Sequence, residues 1–209
     1  MYKIDFNNPI HIHFIGIGGI SMSGLAKILL SEGFTVSGSD SHSSALTDEL
    51  TGDGCLVSVP QSAGNITNDI DLVVYTAAIH PDNPEFKAAK EAGLPMLTRA
   101  ELLGQIMTMY KNAINIAGTH GKTTTTSMVS EILLAANMDP TISVGGILNS
   151  IGGNTRVGGN KYFVAEACEY TNSFLSFNPT MNIILNVKED HLDSVSYTHL
   201  RAHETAANL

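Results

Sequence analysis

The stretch Ile114-Asn115-Ile116-Ala117-Gly118-Thr119-His120-Gly121-Lys122-Thr123-Thr124-Thr125-Thr126 constrains this chain most. A short apolar run predicts a buried strand, and Gly118 to Gly121 predict a tight turn. A helix is expected from about Lys122 to Ala136, with Met128, Val129, Ile132 and Leu133 forming its inward stripe. Strand, glycine turn, Lys-Thr and helix together make a cradle for phosphate. Backbone N–H groups and the positive end of the helix dipole meet the anion, Lys122 reaches the terminal phosphates, and the Thr123 hydroxyl reaches Mg²⁺. Gly118 precedes Gly121 by only three positions, a shorter spacing than the usual phosphate loop has.

The N-terminal half carries a second glycine loop. Pro9 to Ile15 reads as a strand that runs into Gly16-Ile17-Gly18-Gly19-Ile20-Ser21-Met22-Ser23-Gly24. A helix follows with Leu25, Ile28 and Leu29 inward, ending near Gly33, and Phe34 to Asp40 forms the next strand. Strand, glycine loop, helix, strand and acid in this order open a dinucleotide-binding fold. Ser21 stands where the third glycine of the fingerprint belongs. Gly16, Gly18 and Gly19 still allow the backbone to approach a diphosphate at the helix N-terminus, and Asp40 is placed to accept from a ribose or a base. These residues leave NAD and a UDP-linked ligand equally open.

The rest of the chain continues the alternation. Gly54 to Ser58 and Asp71 to Thr76 are strands, and Thr76 lies at the carboxyl end where open α/β sheets bind ligands. Pro84 to Ala92 is a helix, Pro95 to Leu97 a strand, and Thr98 caps a helix over 99–109. Thr141 to Val144 is a strand, 145–154 a glycine-rich flexible loop, and Lys161 to Glu166 a strand that delivers a carboxylate beside the phosphate loop. Met181 to Asn186 is a further strand, leading into Glu189, Asp190, His191 and Asp193. An acid at a strand end is the usual way to fix phosphate-bound Mg²⁺, so Glu166 is expected as ligand or water-holder. On residue type alone His191 is either a site residue or an ordinary loop histidine.

The 209-residue length suggests one large or two small domains, 43% hydrophobic residues are enough for a real core, and the net charge of −9 argues against nonspecific nucleic-acid binding or an acidic membrane surface. Cys55 and Cys168 form no metal or disulfide framework, and no segment reads as a leader or a membrane span, so the expectation is a soluble cytoplasmic chain.

Several separate motifs together resemble the Mur ligases of peptidoglycan synthesis. They are His13 to Gly19, Val36-Ser37-Gly38-Ser39-Asp40, Gly118 to Thr125, Glu166-Ala167-Cys168-Glu169-Tyr170, and Asn186 through Asp190-His191-Leu192-Asp193. Gly-Thr-x-Gly-Lys-Thr is specific to this superfamily and accounts for the short spacing. The resemblance implies α/β architecture: a Rossmann-like parallel-sheet domain over 1–110 for the UDP substrate, then the first part of a phosphate-loop ATP domain over 111–193. It further implies ATP-dependent joining of L-alanine to UDP-N-acetylmuramate, with the tripeptide-recycling ligase as the nearest competitor. By the same resemblance, Gly118, Thr119, His120, Gly121, Lys122, Thr123 and Thr124 would hold the ATP phosphates. Lys122, Glu166 and His191 would carry the catalysis, and Thr123, Glu166 and His191 would hold Mg²⁺. Gly16, Gly18, Gly19, Ser21, Met22, Ser23, Asp40, Thr76 and Arg99 would bind the UDP substrate. Outside the family, an NAD oxidoreductase and a non-catalytic nucleotide-binding module remain as competing readings.

The family is more than twice this length. The stretch Ser194 to Thr205 departs from its pattern and resembles translated sequencing-adapter sequence, so native sequence is expected to end near Asp193. His199 and His203 stand four apart in that tail and are not expected to form a metal site.

Overall fold

The computed structural model describes residues 2–167 and 176–186. The chain divides into two compact units, Met1–Leu103 and Gly104–Leu209. The first alternates strand and helix: β1 (His11–Ile15), α1 (Ile20–Ser31), β2 (Thr35–Ser39), α2 (Ala45–Gly52), β3 (Leu56–Ser58), β4 (Leu72–Tyr75), α3 (Pro84–Glu91) and β5 (Met96–Thr98). A single 3₁₀ turn, Ala63–Asn65, lies between β3 and β4. The strands pair in the order β3-β2-β1-β4-β5, and every pairing is parallel. Strand order reverses at β1, so the crevice for a ligand opens at the carboxyl ends of β1 and β4.

All five residues of β1 are buried, as expected for a central parallel strand covered on both faces. On one face Ile15, Val73, Ile70 and Ala89 form a core that takes in Phe86 and Tyr75, whose rings meet edge to face. Helix α1 buries Met22, Leu25, Ile28 and Leu29 and stops at Ser31, as the apolar spacing predicts. Helix α2 has no counterpart in the sequence reading. It starts at a reciprocal cap: Thr47 N–H donates to Ser44 Oγ, and Ser44 N–H donates to Thr47 Oγ1.

Thr98 caps α4 (Arg99–Met107) as expected: Glu101 N–H donates to Thr98 Oγ1, and Thr98 N–H donates back to the Glu101 carboxylate. The second unit contains β6 (Asn112–Ala117), α5 (Lys122–Ala135), β7 (Thr141–Leu148), β8 (Gly153–Arg156), β9 (Tyr162–Glu166) and β10 (Met181–Ile184). Their order is β10-β6-β9-β7-β8, parallel except for the antiparallel pair β7–β8.

Two expectations are corrected here. The glycine-rich stretch 145–154 is no loose loop, because β7 runs on to Leu148 and turns back into β8 as a hairpin with a register shift between Ser143 and Leu148. The predicted inward stripe of α5 is also half wrong. Val129 and Leu133 do pack on Ile114, Ile116 and Val164, and Leu134 packs on Ile142, Val144 and Leu148. Met128 and Ile132, however, are 60% and 66% exposed. The buried positions are 126 and 130, with 129 and 133 half-buried beside them, and the small Thr126 and Ser130 let the helix sit close to the sheet.

Candidate functional site

After Ile15 the chain turns through Gly16, Ile17, Gly18 and Gly19 into α1. The Ser39 carbonyl at the tip of β2 accepts from the N–H groups of Gly16 (2.8 Å) and Ile17 (2.9 Å). Asp40 Oδ2 accepts from Gly18 N–H at 2.9 Å, and Oδ1 accepts from Ser41 N–H. Within this structure Asp40 therefore shapes the loop, a task the sequence did not reveal. Arg99 Nη1 donates to Ser21 Oγ at 3.1 Å, so the serine in the third-glycine position meets the arginine after β5. Thr76 flanks the loop from β4, its methyl 3.1 Å from where a Gly16 Cβ would stand.

Gly16, Gly18, Gly19, Ser21, Asp40, Thr76 and Arg99 thus gather around one turn. Met22 and Ser23 are also on it, but their side chains are buried. Ser23 Oγ donates to the Ile20 carbonyl, and its N–H donates to Gly19 within the helix.

Among the described residues, α-helix N-termini fall into two kinds. α2 starts with a Ser44 cap and α3 with an Asn83 cap, and both have an acid in the first turn. α4 has Glu101 in the same place. α1 and α5 begin at Gly19 and Gly121 with no side-chain cap and no first-turn acid. The two helices behind glycine loops are those whose positive ends are not neutralised by their own sequence.

A polar column, buried except at its exposed Asp69 end, links β1, β2 and α3. His11 Nδ1 meets Asp69, His11 Nε2 and His13 Nδ1 both meet Ser37 Oγ at 2.8 Å, and His13 Nε2 lies 3.7 Å from Glu85. Ser39 Oγ donates to Glu85, which also accepts from Asn65 Nδ2 and Ser62 N–H. Glu85 is fully buried. Burial alone would raise its carboxyl pKa, but the nearby His13 imidazole and the hydrogen bonds from Ser39, Asn65 and Ser62 outweigh that and hold it below its usual value. Sequence reasoning missed Glu85. An acid behind Pro84 reads as ordinary first-turn chemistry, and its partners lie 20 to 72 positions away.

In the second unit Gly121 adopts φ +86° as it enters α5, a left-handed conformation that glycine tolerates without strain. Lys122 Nζ donates to the carbonyls of Gly118 (2.6 Å) and Thr119 (3.2 Å), lying across the turn. Thr123 Oγ1 donates to Glu166 Oε2 at 3.1 Å, and Gly145 N–H donates to Glu166 Oε1 at 2.7 Å. The helix hydroxyl and the strand-end carboxylate expected to share an ion are therefore in contact. The fit for Mg²⁺ is good: both groups are hard oxygen donors, and a Cβ on Gly145 would stand 2.8 Å from Glu166 Oε2, so the glycine keeps that carboxylate uncrowded. Among the described residues no three His, Cys, Asp or Glu side chains gather as a metal cage. His120 and Thr124 are exposed on the loop and the first turn. Cys168, Glu169, Asp190, His191, Asp193, His199 and His203 lie outside the described residues.

The Mur ligase family catalytic-domain profile matches residues 11–111, and the Mur ligase middle-domain profile matches 116–204. The chain is similar to the UDP-N-acetylmuramate–L-alanine ligase of Lachnospira eligens, 96% identical over 193 residues that are 92% of this chain and 42% of that protein. The ligase of the same name from Agathobacter rectalis is 72% identical over the same shares of the two chains. The chain thus spans less than half the length of the curated relatives it matches. Its fold matches the crystal structure of UDP-N-acetylmuramate–alanine ligase MurC from Thermotoga maritima, with TM-score 0.81 and 37% identity over 92% of this chain and 45% of that one. It also matches the UDP-N-acetylmuramate:L-alanyl-γ-D-glutamyl-meso-diaminopimelate ligase of Neisseria meningitides, with TM-score 0.83 and 28% identity over 94% of this chain and 67% of that one. With one family profile on each of its two α/β units, the chain belongs to the Mur ligase family.

Proposed function

We propose that this chain supplies the UDP-substrate unit and the phosphate-loop part of the ATP unit of a cytoplasmic ligase. The full enzyme would join L-alanine to the carboxylate of UDP-N-acetylmuramate. The observation that carries this reading is the contact of Thr123 with Glu166 at the mouth of an uncapped α5. An oxygen pair of that kind beside Lys122 suits MgATP and has no use in a dehydrogenase. The 96% and 72% identity to L-alanine ligases favours this family member over the tripeptide ligase, whose structure is only 28% identical.

In this reading the first-turn amides of α1 take the diphosphate of the UDP-sugar, with Arg99 and Ser21 at its edge. The glycines of the 16–19 turn let it approach closely, while the N–H groups of Gly16, Ile17 and Gly18 go to Ser39 and Asp40. Lys122 and the amides from Gly121 onward take the ATP phosphates. Thr123 and Glu166 would hold Mg²⁺, and His191 would help with a second metal. The ions would neutralise charge on the phosphates. The γ-phosphoryl group passes to the muramoyl carboxylate, giving an acyl phosphate and ADP. The L-alanine amine then attacks the acyl carbon, losing a proton, and phosphate leaves with its C–O bond electrons. Lys122 contributes placement and charge at the transferring phosphoryl group.

Fusing residues 1–193 to the remaining C-terminal part of a full-length relative tests this. L-alanine-dependent ADP release with UDP-N-acetylmuramate, lost in Lys122→Ala, supports the reading. An active fusion that accepts only the tripeptide in place of L-alanine would overturn the substrate assignment.

A further inference from the structure

The phosphate loop is held by a residue outside it. Asn186 follows β10, 66 positions beyond His120. Its Oδ1 accepts from His120 N–H at 3.0 Å, and its Nδ2 donates to the His120 carbonyl at 2.9 Å. The Asn186 carbonyl accepts in turn from Thr119 N–H at 3.2 Å. One side chain therefore satisfies both polar groups of the His120 peptide, as a neighbouring strand would. Gly118 is pressed against the same segment, since a Cβ there would stand 3.1 Å from Leu185 Cβ and 3.2 Å from Asn186 N.

We propose that Asn186 is a positioning residue for the phosphate loop, and this rests on the nucleotide reading given above. The loop is short, and its first half does not wrap an anion. The N–H groups of Thr119 and His120 point to Asn186, leaving phosphate to the amides from Gly121 onward and to Lys122. A peptide fixed at His120 also fixes the Gly118 and Thr119 carbonyls that hold Lys122 Nζ. Asn186 thereby sets both the turn and the starting place of the lysine.

The test compares Asn186→Ala with Asn182→Ala in the same 209-residue chain. Asn182 lies on β10, and its Oδ1 accepts from Asn115 on β6, so its loss damages the same strand without touching the loop. Amide exchange at His120 should rise about tenfold or more in Asn186→Ala, with Val164 in β9 unchanged, and should not change in Asn182→Ala. MgATP affinity by calorimetry should fall about tenfold in Asn186→Ala only.

Unchanged His120 exchange in Asn186→Ala overturns the brace. Equal weakening of MgATP by both variants, or binding untouched by Asn186→Ala, overturns the positioning role while the nucleotide reading stands. Exchange that responds in a chain with no MgATP affinity in any variant overturns the nucleotide reading, and the positioning role with it.

Discussion

Gly38 lies under the first glycine loop, and replacing it with alanine should damage both the fold and the ligand site of that unit. A Cβ at this position would stand 2.6 Å from Ile17 Cδ1, 2.8 Å from Ile17 Cβ and 2.8 Å from the Phe14 carbonyl oxygen. Ordinary contacts between carbon atoms fall at about 3.5–4.0 Å, so the neighbours must open by about 1 Å. None gives easily. Phe14 belongs to the central strand β1, paired on both sides, and Ile17 is completely buried. Overpacking of this kind costs about 1–3 kcal/mol, and backbone neighbours argue for the upper end. In a unit of about 100 residues each kcal/mol lowers Tm by about 4 °C or more, giving a loss of about 10 °C. The push on Ile17 also strains the two N–H bonds to the Ser39 carbonyl, so diphosphate affinity should fall with stability. Because the chain has two units, melting should be followed by hydrogen exchange on peptides from residues 10–40, beside Gly52→Ala as control. Gly52 closes α2 with no atom within 4 Å of its would-be Cβ, and alanine there should be neutral or mildly stabilising. A Gly38→Ala unit that melts within about 2 °C of wild type would refute the close-packing argument.

Glu85→Gln should cost about 1.5–3 kcal/mol at neutral pH, the value of hydrogen bonds to a buried charge. The folded-state pKa of Glu85 is lowered, so its contribution is fully present above the unfolded value of about 4.3 and is lost as pH falls through the folded one. Denaturant titrations should therefore show the wild-type advantage shrinking below about pH 4.3, and a gap that widens in acid would contradict this. Glu166→Ala should weaken MgATP about tenfold without changing UDP-sugar affinity, because Thr123 loses its carboxylate partner; calorimetry reads both. Burial pushes the Cys55 thiol up to about 12, so peptide-mapped alkylation at pH 8 should leave it unmodified until the first unit unfolds.

Both glycine loops were legible because strand, turn and helix are contiguous in sequence, and motif spacing reports them directly. Glu166 was legible for a related reason: a strand delivers its last residue to the carboxyl edge, where α5 also begins. The hairpin at 145–154 was not, since Gly145, Gly146, Gly152 and Gly153 carry turn chemistry while the β7–β8 pairing that orders them is tertiary. Helical period showed that Met128 and Ile132 share a face, but not that buried Thr126 and Ser130 would claim the sheet instead. Glu85 and Asn186 escaped notice because their partners lie tens of residues away. A lone Glu or Asn carries no local signal of such a contact.

In the proposed function the first unit holds the diphosphate of a UDP-sugar at the N-terminus of α1, behind the Gly16–Gly19 turn. The most direct test of this is calorimetric titration of this chain with UDP-N-acetylmuramate, beside Gly18→Val. In that variant the added carbon atoms enter space 2.9 Å from Asp40 Oδ2 and 3.1 Å from Thr47 Cγ2. The wild-type chain should bind saturably, with a loss of about tenfold or more in Gly18→Val and no competition by NADH. Binding of NADH in place of the UDP-sugar, or UDP-sugar affinity unchanged in Gly18→Val, would contradict it.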